Sequence, residues 1–267
     1  MKCYRDFREN IKDIDALCDS ASVALLDRSV GGRVSANAMT RSGWVLLCGY
    51  LEGFVRDLLE ETVERINDSG VDVNVIPGGL FCSLLNALPA NFTKNGDACL
   101  VAFKNAIRSG AGVRLNSKQL AKTGGNPSVD TIEGLFNQLG LVSVIDKLTI
   151  QDFGLESTFS VDSQSEPLRA KIATVFDAAD VANSEFLVSE VIKIVDEKWC
   201  PTKKRRDVGY VALIQELLKK RNRIAHGEGR DPITPEELME QRGGVERLCT
   251  GLHTLAVDAL AELAIPA

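Results

Sequence analysis

The sequence predicts a mainly α-helical protein with one domain, and three features support this prediction. Apolar residues recur at spacings of three and four over long segments, as on the buried face of a helix. Polar N-cap residues and glycines mark several segment ends. The 267 residues can bury one substantial core, and no repeat or long linker divides them, so we expect a single domain over residues 1–267.

Two helices are predicted near the N-terminus. The first covers about residues 4–26, and its apolar stripe is Phe7, Ile11, Ile14, Leu17 and Cys18. Gly31-Gly32 are expected to interrupt the helical pattern. The second helix covers about residues 38–66 and is expected to end at Asp68-Ser69-Gly70. Its stripe has the clearest periodicity of the chain and consists of Trp44, Leu47, Leu51, Phe54, Val55, Leu58, Thr62 and Ile66.

The middle of the chain is less regular. Between residues 71 and 125, short helices are expected near residues 80–85 and 100–107. Asn126-Pro127-Ser128 leads into a helix that Gly140 is expected to cap, with the apolar residues Ile132, Leu135, Phe136 and Leu139. Residues 150–167 are polar and predict a loop, with room for a short strand. Two more helices are expected at about 168–179 and 184–198.

A basic loop and two helices are predicted near the C-terminus. The loop is Lys203-Lys204-Arg205-Arg206, after the interruption at Pro201. A helix over about residues 207–226 is expected to end before Gly227. The side chains on its predicted buried face are Val211, Ile214, Leu217 and Leu218. In the last helix, Thr234 is the N-cap and Glu237 completes a capping box. Its predicted stripe is Leu248, Leu252, Leu255, Ala259 and Leu263.

Charge is distributed unevenly along the chain. The net charge is −6, whereas a protein that binds nucleic acid through its overall charge is usually basic. Residues 198–230, however, contain ten Lys or Arg and three Asp or Glu, a local charge of +7 that leaves −13 for the remainder. One basic patch on an acidic protein favours an anionic ligand bound at a single place.

The composition argues against several other classes of protein. No apolar stretch is long enough for a transmembrane helix, and the charged N-terminus lacks the apolar core of a signal peptide. The seven cysteines form no C-x-x-C pair, which is typical of free thiols in a reducing compartment. Two histidines are too few for most zinc sites. We therefore expect a cytoplasmic protein that needs no membrane, metal or cofactor.

The most concentrated chemistry lies in residues 219–227, KKRNRIAHG. Asn222 and His226 are four residues apart and share a helix face, and Arg221 is long enough to reach them. An arginine can grip phosphate oxygens, and a histidine can transfer protons near neutral pH. These groups suit RNA cleavage, in which the 2′-hydroxyl is the nucleophile and no metal is required. A symmetric dimer would supply two copies of His226, one as base and one as acid.

A structural interpretation explains part of the same run. Basic residues and a histidine in the last turn stabilise a helix C-terminus without any catalytic role. If the run is a phosphate site, the predicted backbone contacts are Lys219, Lys220, Arg223 and Arg230. The basic loop is then either a further phosphate contact or a solvated surface segment.

Glu52 and His253, outside this run, also carry ionisable side chains. Glu52, on the second predicted helix, lies either near the cleft or at the edge of the core as an ordinary carboxylate. His253, on the last helix, is expected to be structural or exposed.

Three stretches resemble the RiboL-PSP-HEPN branch of the HEPN superfamily, and they span most of the chain. They are residues 44–59 (WVLLCGYLEGFVRDLL), 126–141 (NPSVDTIEGLFNQLGL) and 217–227 (LLKKRNRIAHG). The family motif is an Arg, often followed by a polar residue, and a His a few residues later. Here it matches Arg221, Asn222 and His226.

The resemblance implies an all-α fold with a four-helix-bundle core and additional helices. It implies a homodimer whose interface forms the active cleft, and a metal-independent ribonuclease in which Arg221 and His226 are the catalytic pair. The family is common in toxin–antitoxin and antiphage systems, so an antitoxin or regulatory protein is an expected partner.

Two other interpretations remain open. A non-catalytic module of the same fold would bind RNA, a nucleotide or a protein without cleavage, and its RNA binding would depend on salt. A purely structural or interaction protein would lose only about 1 kcal/mol of stability when Arg221 or His226 is replaced.

Overall fold

The computed structural model describes residues 1–70, 76–80, 115–155, 159–161, 203–227 and 232–263, together with the single residues 174, 188 and 191. This part of the chain is mainly helical, which confirms the predicted fold class. In chain order, its helices and strands are α1 (Lys2–Asn10), α2 (Lys12–Leu26), α3 (Val30–Ser69), α4 (Ser117–Leu120), α5 (Val129–Gln138), α6 (Val144–Phe153), β1 (Phe159–Val161), β2 (Lys203–Arg205), α7 (Gly209–Ala225) and α8 (Pro235–Glu262).

The N-terminal region forms three helices instead of the two predicted. The first predicted helix is divided at Ile11 into α1 and α2, although its apolar residues are buried as expected, apart from the half-buried Leu17. The prediction that Gly31-Gly32 interrupt the helix was wrong, because both lie in the first turn of α3. Ser29 caps that turn by accepting the N–H of Gly32 at 3.0 Å. A Cβ on Gly32 would lie 2.2 Å from the Asp27 carbonyl oxygen, so only glycine fits the sharp turn from α2.

Helix α5 confirms the prediction, whereas α6 was missed. Ser128 caps α5 by accepting the N–H of Thr131, and Gly140 follows its end with φ 78°. The loop predicted from residue 150 was wrong at its start, because α6 continues to Phe153. Ser143 makes no side-chain cap for α6. Instead, Glu133 accepts the backbone N–H groups of Val144 and Ile145 at 3.0 and 3.1 Å.

The predicted basic loop is partly a strand. Lys203–Arg205 forms β2, which pairs antiparallel with β1 in the register Phe159 to Arg205. The short strand allowed for in residues 150–167 is β1. The helices predicted near residues 80–85 and 100–107 lie outside the described residues, except for position 80, which is helical. The helices predicted at 168–179 and 184–198 also lie outside them, apart from the helical positions 174, 188 and 191.

Helix α3 is the centre of the described core and packs against α1, α2, α7 and α8. Trp44, Leu47, Leu51 and Val55 on α3 are fully buried. Thr234 caps α8 as predicted, by accepting the N–H of Glu237 at 3.1 Å. The buried face of α8 differs from the predicted one near its C-terminal end, where Ala256 and Leu260 are buried and Ala259 and Leu263 are half-buried. None of the described helices has the length and apolarity needed to cross a membrane.

Replacing Trp44 by Phe is expected to lower the free energy of unfolding by about 1–3 kcal/mol. The indole N–H of Trp44 donates to the Leu217 carbonyl at 3.0 Å inside the core, and phenylalanine removes both this bond and part of the buried ring. Urea denaturation measures the loss. Tyr50→Phe, which removes a hydrogen bond to Asp13 at the surface, is the control and should cost less. Equal losses in the two variants would contradict the importance assigned to the Trp44 contact.

The stability is expected to fall as the pH drops from about 4.5 to about 2, partly because of Glu61. Burial raises the pKa of Glu61, but the N–H groups of Cys3 and Lys2 outweigh burial and hold the pKa at about 2. In this range the unfolded state therefore binds more protons than the folded state. Acid titration of the unfolding free energy should show a loss about 1–3 kcal/mol smaller in Glu61→Gln than in the wild type. Glu9→Gln, an exposed control, should titrate like the wild type.

Candidate functional site

Arg221, Asn222 and His226 lie in the last two turns of α7. Arg221 and Asn222 are half-buried, and His226 is exposed. His226 is the C-cap, and its backbone N–H donates to the Asn222 carbonyl at 3.0 Å. Gly227 follows with φ 69°, which turns the chain away from the helix axis. The imidazole therefore stands at the open end of α7, one turn beyond the half-buried pair.

The position of this segment is set by contacts between α7 and α3. The carbonyl of Leu217 accepts the indole N–H of Trp44, and the ammonium of Lys220 lies 4.6 Å from the centre of the Trp44 ring. Cys48 lies one turn after Trp44 on α3. Burial raises the pKa of the Cys48 thiol to about 11, while the nearby Arg221 guanidinium lowers it and the Glu52 carboxylate raises it. The contacts of Trp44 with Leu217 and Lys220 therefore hold α7 against α3 just before Arg221.

Among the described residues, Asn222 is the one side-chain partner of Arg221. Its Nη1 donates to the Asn222 Oδ1 at 2.9 Å, and no carboxylate in the described part of the chain forms an ion pair with it. The asparagine thus orients the guanidinium without neutralising its charge. A guanidinium with free donors at the mouth of a half-buried site can bind a planar or tetrahedral anion at two points.

The cations predicted to contact the substrate backbone have different environments. Lys220 forms ion pairs with Glu216 and Glu237. Burial lowers the pKa of Lys220, but hydrogen bonds to these two carboxylates outweigh burial and raise it. A phosphate would have to compete with both carboxylates. Lys219 and Arg223 are exposed beside the motif, whereas Arg230 lies outside the described residues.

Arg205 of the basic segment is used to connect elements of the fold. Its guanidinium lies 3.6 Å from both Asp130 and Glu133 on α5. Glu133 in turn holds the first turn of α6, so this ion pair joins β2 to two helices. Part of the local positive charge found in the sequence is therefore neutralised by packing.

Glu52, which was predicted to lie near the cleft or at the edge of the core, binds a residue of the segment before α5. Its carboxylate is half-buried, and its Oε1 accepts the hydroxyl of Thr123 at 2.8 Å. Sequence reasoning did not identify Cys48, whose thiol pKa responds to the charges of Arg221 and Glu52, or the bond from Thr123 to Glu52. The spacing of Trp44, Cys48 and Glu52 by four residues was the available signal, since it places them on one face of α3.

His253 has a different environment. Its ring stacks on Tyr4 with the ring centres 4.2 Å apart. Burial lowers its pKa. These contacts fit the structural position expected for it. Elsewhere in the described residues, no group of three or more His, Cys, Asp or Glu side chains could hold a metal ion.

An apolar groove runs beside the motif. It has a volume of about 710 Å³, and its lining includes Leu17, Ala38, Val45, Leu46, Gly49 and Ile224. Ile224 belongs to the run between Arg221 and His226, so the groove and the motif share one helix end. Val45 and Gly49 are exposed on α3, although their neighbours Trp44 and Cys48 are buried.

A model of a known protein family matches most of the chain. The family model described as RiboL-PSP-HEPN matches residues 4–258. No curated protein and no solved structure matches the chain. The matched range includes every described helix except the first residues of α1 and the last residues of α8, and it includes the whole of α7.

Proposed function

The chain belongs to the RiboL-PSP-HEPN family, and from this premise we propose that it is a metal-independent endoribonuclease. The observation that carries the proposal is the combination of a half-buried Arg221 that lacks a carboxylate partner among the described residues with an exposed His226 at the same helix end. Such a pair offers an anion clamp and a proton-transfer group at one place. Each of the two groups meets one chemical requirement of RNA cleavage.

Arg221 binds the scissile phosphate. As the 2′-oxygen attacks phosphorus, negative charge grows on the non-bridging oxygens, and the guanidinium stabilises it. Asn222 accepts one N–H of Arg221, which leaves the others directed toward the substrate. Because arginine stays protonated at any relevant pH, this stabilisation does not depend on titration.

His226 transfers the proton. As a base, it takes the proton of the 2′-hydroxyl while the 2′-oxygen–phosphorus bond forms, and as an acid it protonates the 5′-oxygen while the phosphorus–oxygen bond breaks. The products are a 2′,3′-cyclic phosphate and a free 5′-hydroxyl. A single imidazole cannot perform both transfers in one turnover without exchanging its proton, so the reaction favours two copies of His226.

A homodimer supplies the second copy. We place its interface on the apolar groove beside the motif, since Val45, Gly49 and Ile224 line that groove and a partner there would bring two motifs together. The exposed Gly49 carries no side chain, and an added Cβ would meet nothing within 4 Å, so a second helix can approach α3 closely there. Lys219 and Arg223 then lie beside the cleft as backbone contacts, and Arg230 retains the same predicted role.

The proposed biological role is toxin-like cleavage of cellular or phage RNA, restrained by an antitoxin or regulatory protein. The non-catalytic alternative keeps the same cation cluster and predicts salt-dependent RNA binding without turnover. Growth arrest on expression that His226→Ala relieves would separate the two.

Cleavage of a mixed RNA pool in EDTA is expected to require both residues of the pair. His226→Ala and Arg221→Ala should each lower the rate by about 100-fold or more, because they remove a proton-transfer group and a transition-state clamp. Gel analysis with detection of cyclic phosphate ends measures the products. His253→Gln and the exposed Arg5→Ala are the controls and should retain the wild-type rate. A folded wild-type protein that cuts no RNA, or variants that cut equally well, would overturn the proposal.

Val45→Glu is expected to convert the dimer into a monomer and to lower cleavage about as much as the loss of His226. A charge in the apolar groove costs several kcal/mol when a partner covers it. Sedimentation equilibrium gives the mass in solution. Val142→Glu replaces another exposed valine outside the groove and should leave the dimer intact. A wild-type monomer that is fully active, or a Val45→Glu dimer, would contradict this interface.

A further inference from the structure

Arg41 on α3 resembles Arg221 in having no carboxylate partner in the described part of the chain. The other half-buried arginines described there, Arg65, Arg205 and Arg242, each form an ion pair with a carboxylate. The side chain of Arg41 is half-buried as well, yet it forms no ion pair or hydrogen bond with another described residue. A guanidinium carries five N–H donors, and its partial removal from water is unfavourable without an acceptor. Arg41 is therefore suited to bind an anion.

The antiparallel packing of α7 against α3 places Arg41 beside the motif. Trp44 on α3 lies against Lys220 on α7. Arg41, three residues before Trp44, lines the same groove as Ile224, four residues after Lys220. These two steps cover about 4.5 and 6 Å along the helix axes and run in the same direction. Arg41 therefore lies next to the segment that joins the two catalytic residues of the proposed site.

Arg41 and Ser42 form the polar edge of the apolar groove. Both line it together with the apolar residues described above. The Ser42 hydroxyl is exposed, and it has no hydrogen-bond partner among the described residues. None of the described residues that line the groove is acidic. This edge therefore presents a cation and a neighbouring hydroxyl donor with no carboxylate beside them.

The proposed dimer restricts where a counter-charge for Arg41 can come from. In a symmetric dimer built on this groove, the same surface of each subunit faces the other. The described lining of the second groove then offers Arg41 no acidic residue either. An anion that enters the cleft between the two motifs can supply the charge. The phosphate groups of an RNA chain are anions of this kind.

We propose that Arg41, together with the Ser42 hydroxyl, binds a backbone phosphate of the RNA that flanks the scissile one. The inference rests on the proposed function, in which Arg221 binds the scissile phosphate. A guanidinium can hold two oxygens of a phosphate at once, and the hydroxyl can donate to it as well. Because the flanking phosphate does not react, this contact is equally strong before and during the chemical step. It therefore lowers KM and leaves kcat nearly unchanged.

The kinetic test uses Arg41→Gln, which removes the charge and keeps a good helix former. We expect KM for a single-stranded RNA of mixed sequence to rise about tenfold with kcat nearly unchanged, as for the loss of one charge-assisted contact. Ser42→Ala should raise KM less. Arg41→Lys should recover part of the affinity, because it restores the charge without the two-point contact.

Arg33→Gln is the matched control. Arg33 lies on the same helix and also lacks a carboxylate partner among the described residues, but it is exposed and lies outside the groove. The substitution changes the net charge by the same amount as Arg41→Gln does. It should leave KM and kcat at the wild-type values.

The salt dependence of binding gives a second measurement, which does not depend on cleavage. It uses His226→Ala protein, for which the proposed function predicts no cleavage, and the same single-stranded RNA with a fluorescent label. The logarithm of the binding constant falls linearly with the logarithm of salt concentration, by about 0.7 for each phosphate contact. Arg41→Gln should therefore reduce this slope by about 0.7, whereas Arg33→Gln should leave it unchanged. Sedimentation equilibrium should show the same mass with and without Arg41→Gln.

The outcomes separate the two proposals. If the wild type cuts RNA and Arg41→Gln changes neither KM nor the salt slope, Arg41 does not bind phosphate and the ribonuclease function stands. If the folded wild type cuts no RNA but Arg41→Gln reduces the slope, the phosphate contact stands and the ribonuclease function fails. A wild type that neither cuts nor binds RNA overturns both.

Two further results would overturn the assignment of Arg41 alone. Equal effects of Arg41→Gln and Arg33→Gln would mean that the overall positive charge attracts RNA and that the groove provides no specific contact. Loss of the dimer in Arg41→Gln would mean that Arg41 binds the partner subunit and not RNA.

Discussion

The packing of α7 against α3 through Trp44 is the interaction on which the rest of the site depends. The indole ring is fully buried, its N–H binds the Leu217 carbonyl, and Lys220 lies over its face. These contacts fix the translation and rotation of α7 relative to the central helix. The next turn of α7 carries Arg221 and Asn222, so these contacts position the backbone from which both side chains extend.

Within the described residues, Arg221 differs from Lys220 and Arg205 in that no carboxylate forms an ion pair with it. Part of the positive charge of the basic segment is neutralised by ion pairs. Lys220 pairs with Glu216 and Glu237. Arg205 lies close to Asp130 and Glu133. Arg221 keeps its charge because its side-chain partner, Asn222, is neutral. A half-buried cation of this kind attracts an anion more strongly than an exposed lysine does, since water screens it less.

Sequence reasoning located the elements whose ends are capped locally. Thr234 and Ser128 precede helices and cap them, because an N-cap side chain binds a backbone N–H only two or three residues away. Helix α6 was missed for the opposite reason: its first N–H groups are satisfied by Glu133, a residue of the preceding helix. The start of α3 was predicted too late because Gly31-Gly32 have low helix propensity. The Ser29 cap and the tight turn from α2 stabilise the helix there in spite of it.

By itself, the sequence determined the helical class and the grouping of Arg221, Asn222 and His226, because residues four apart share a helix face and the long Arg221 side chain can reach them. Only the tertiary structure decided that Lys220 pairs with Glu237, that Trp44 binds the Leu217 carbonyl, and that Thr123 reaches Glu52. Each of these contacts joins residues far apart in the chain. Their formation depends on the angle and register at which helices dock, which the packing of the whole core sets.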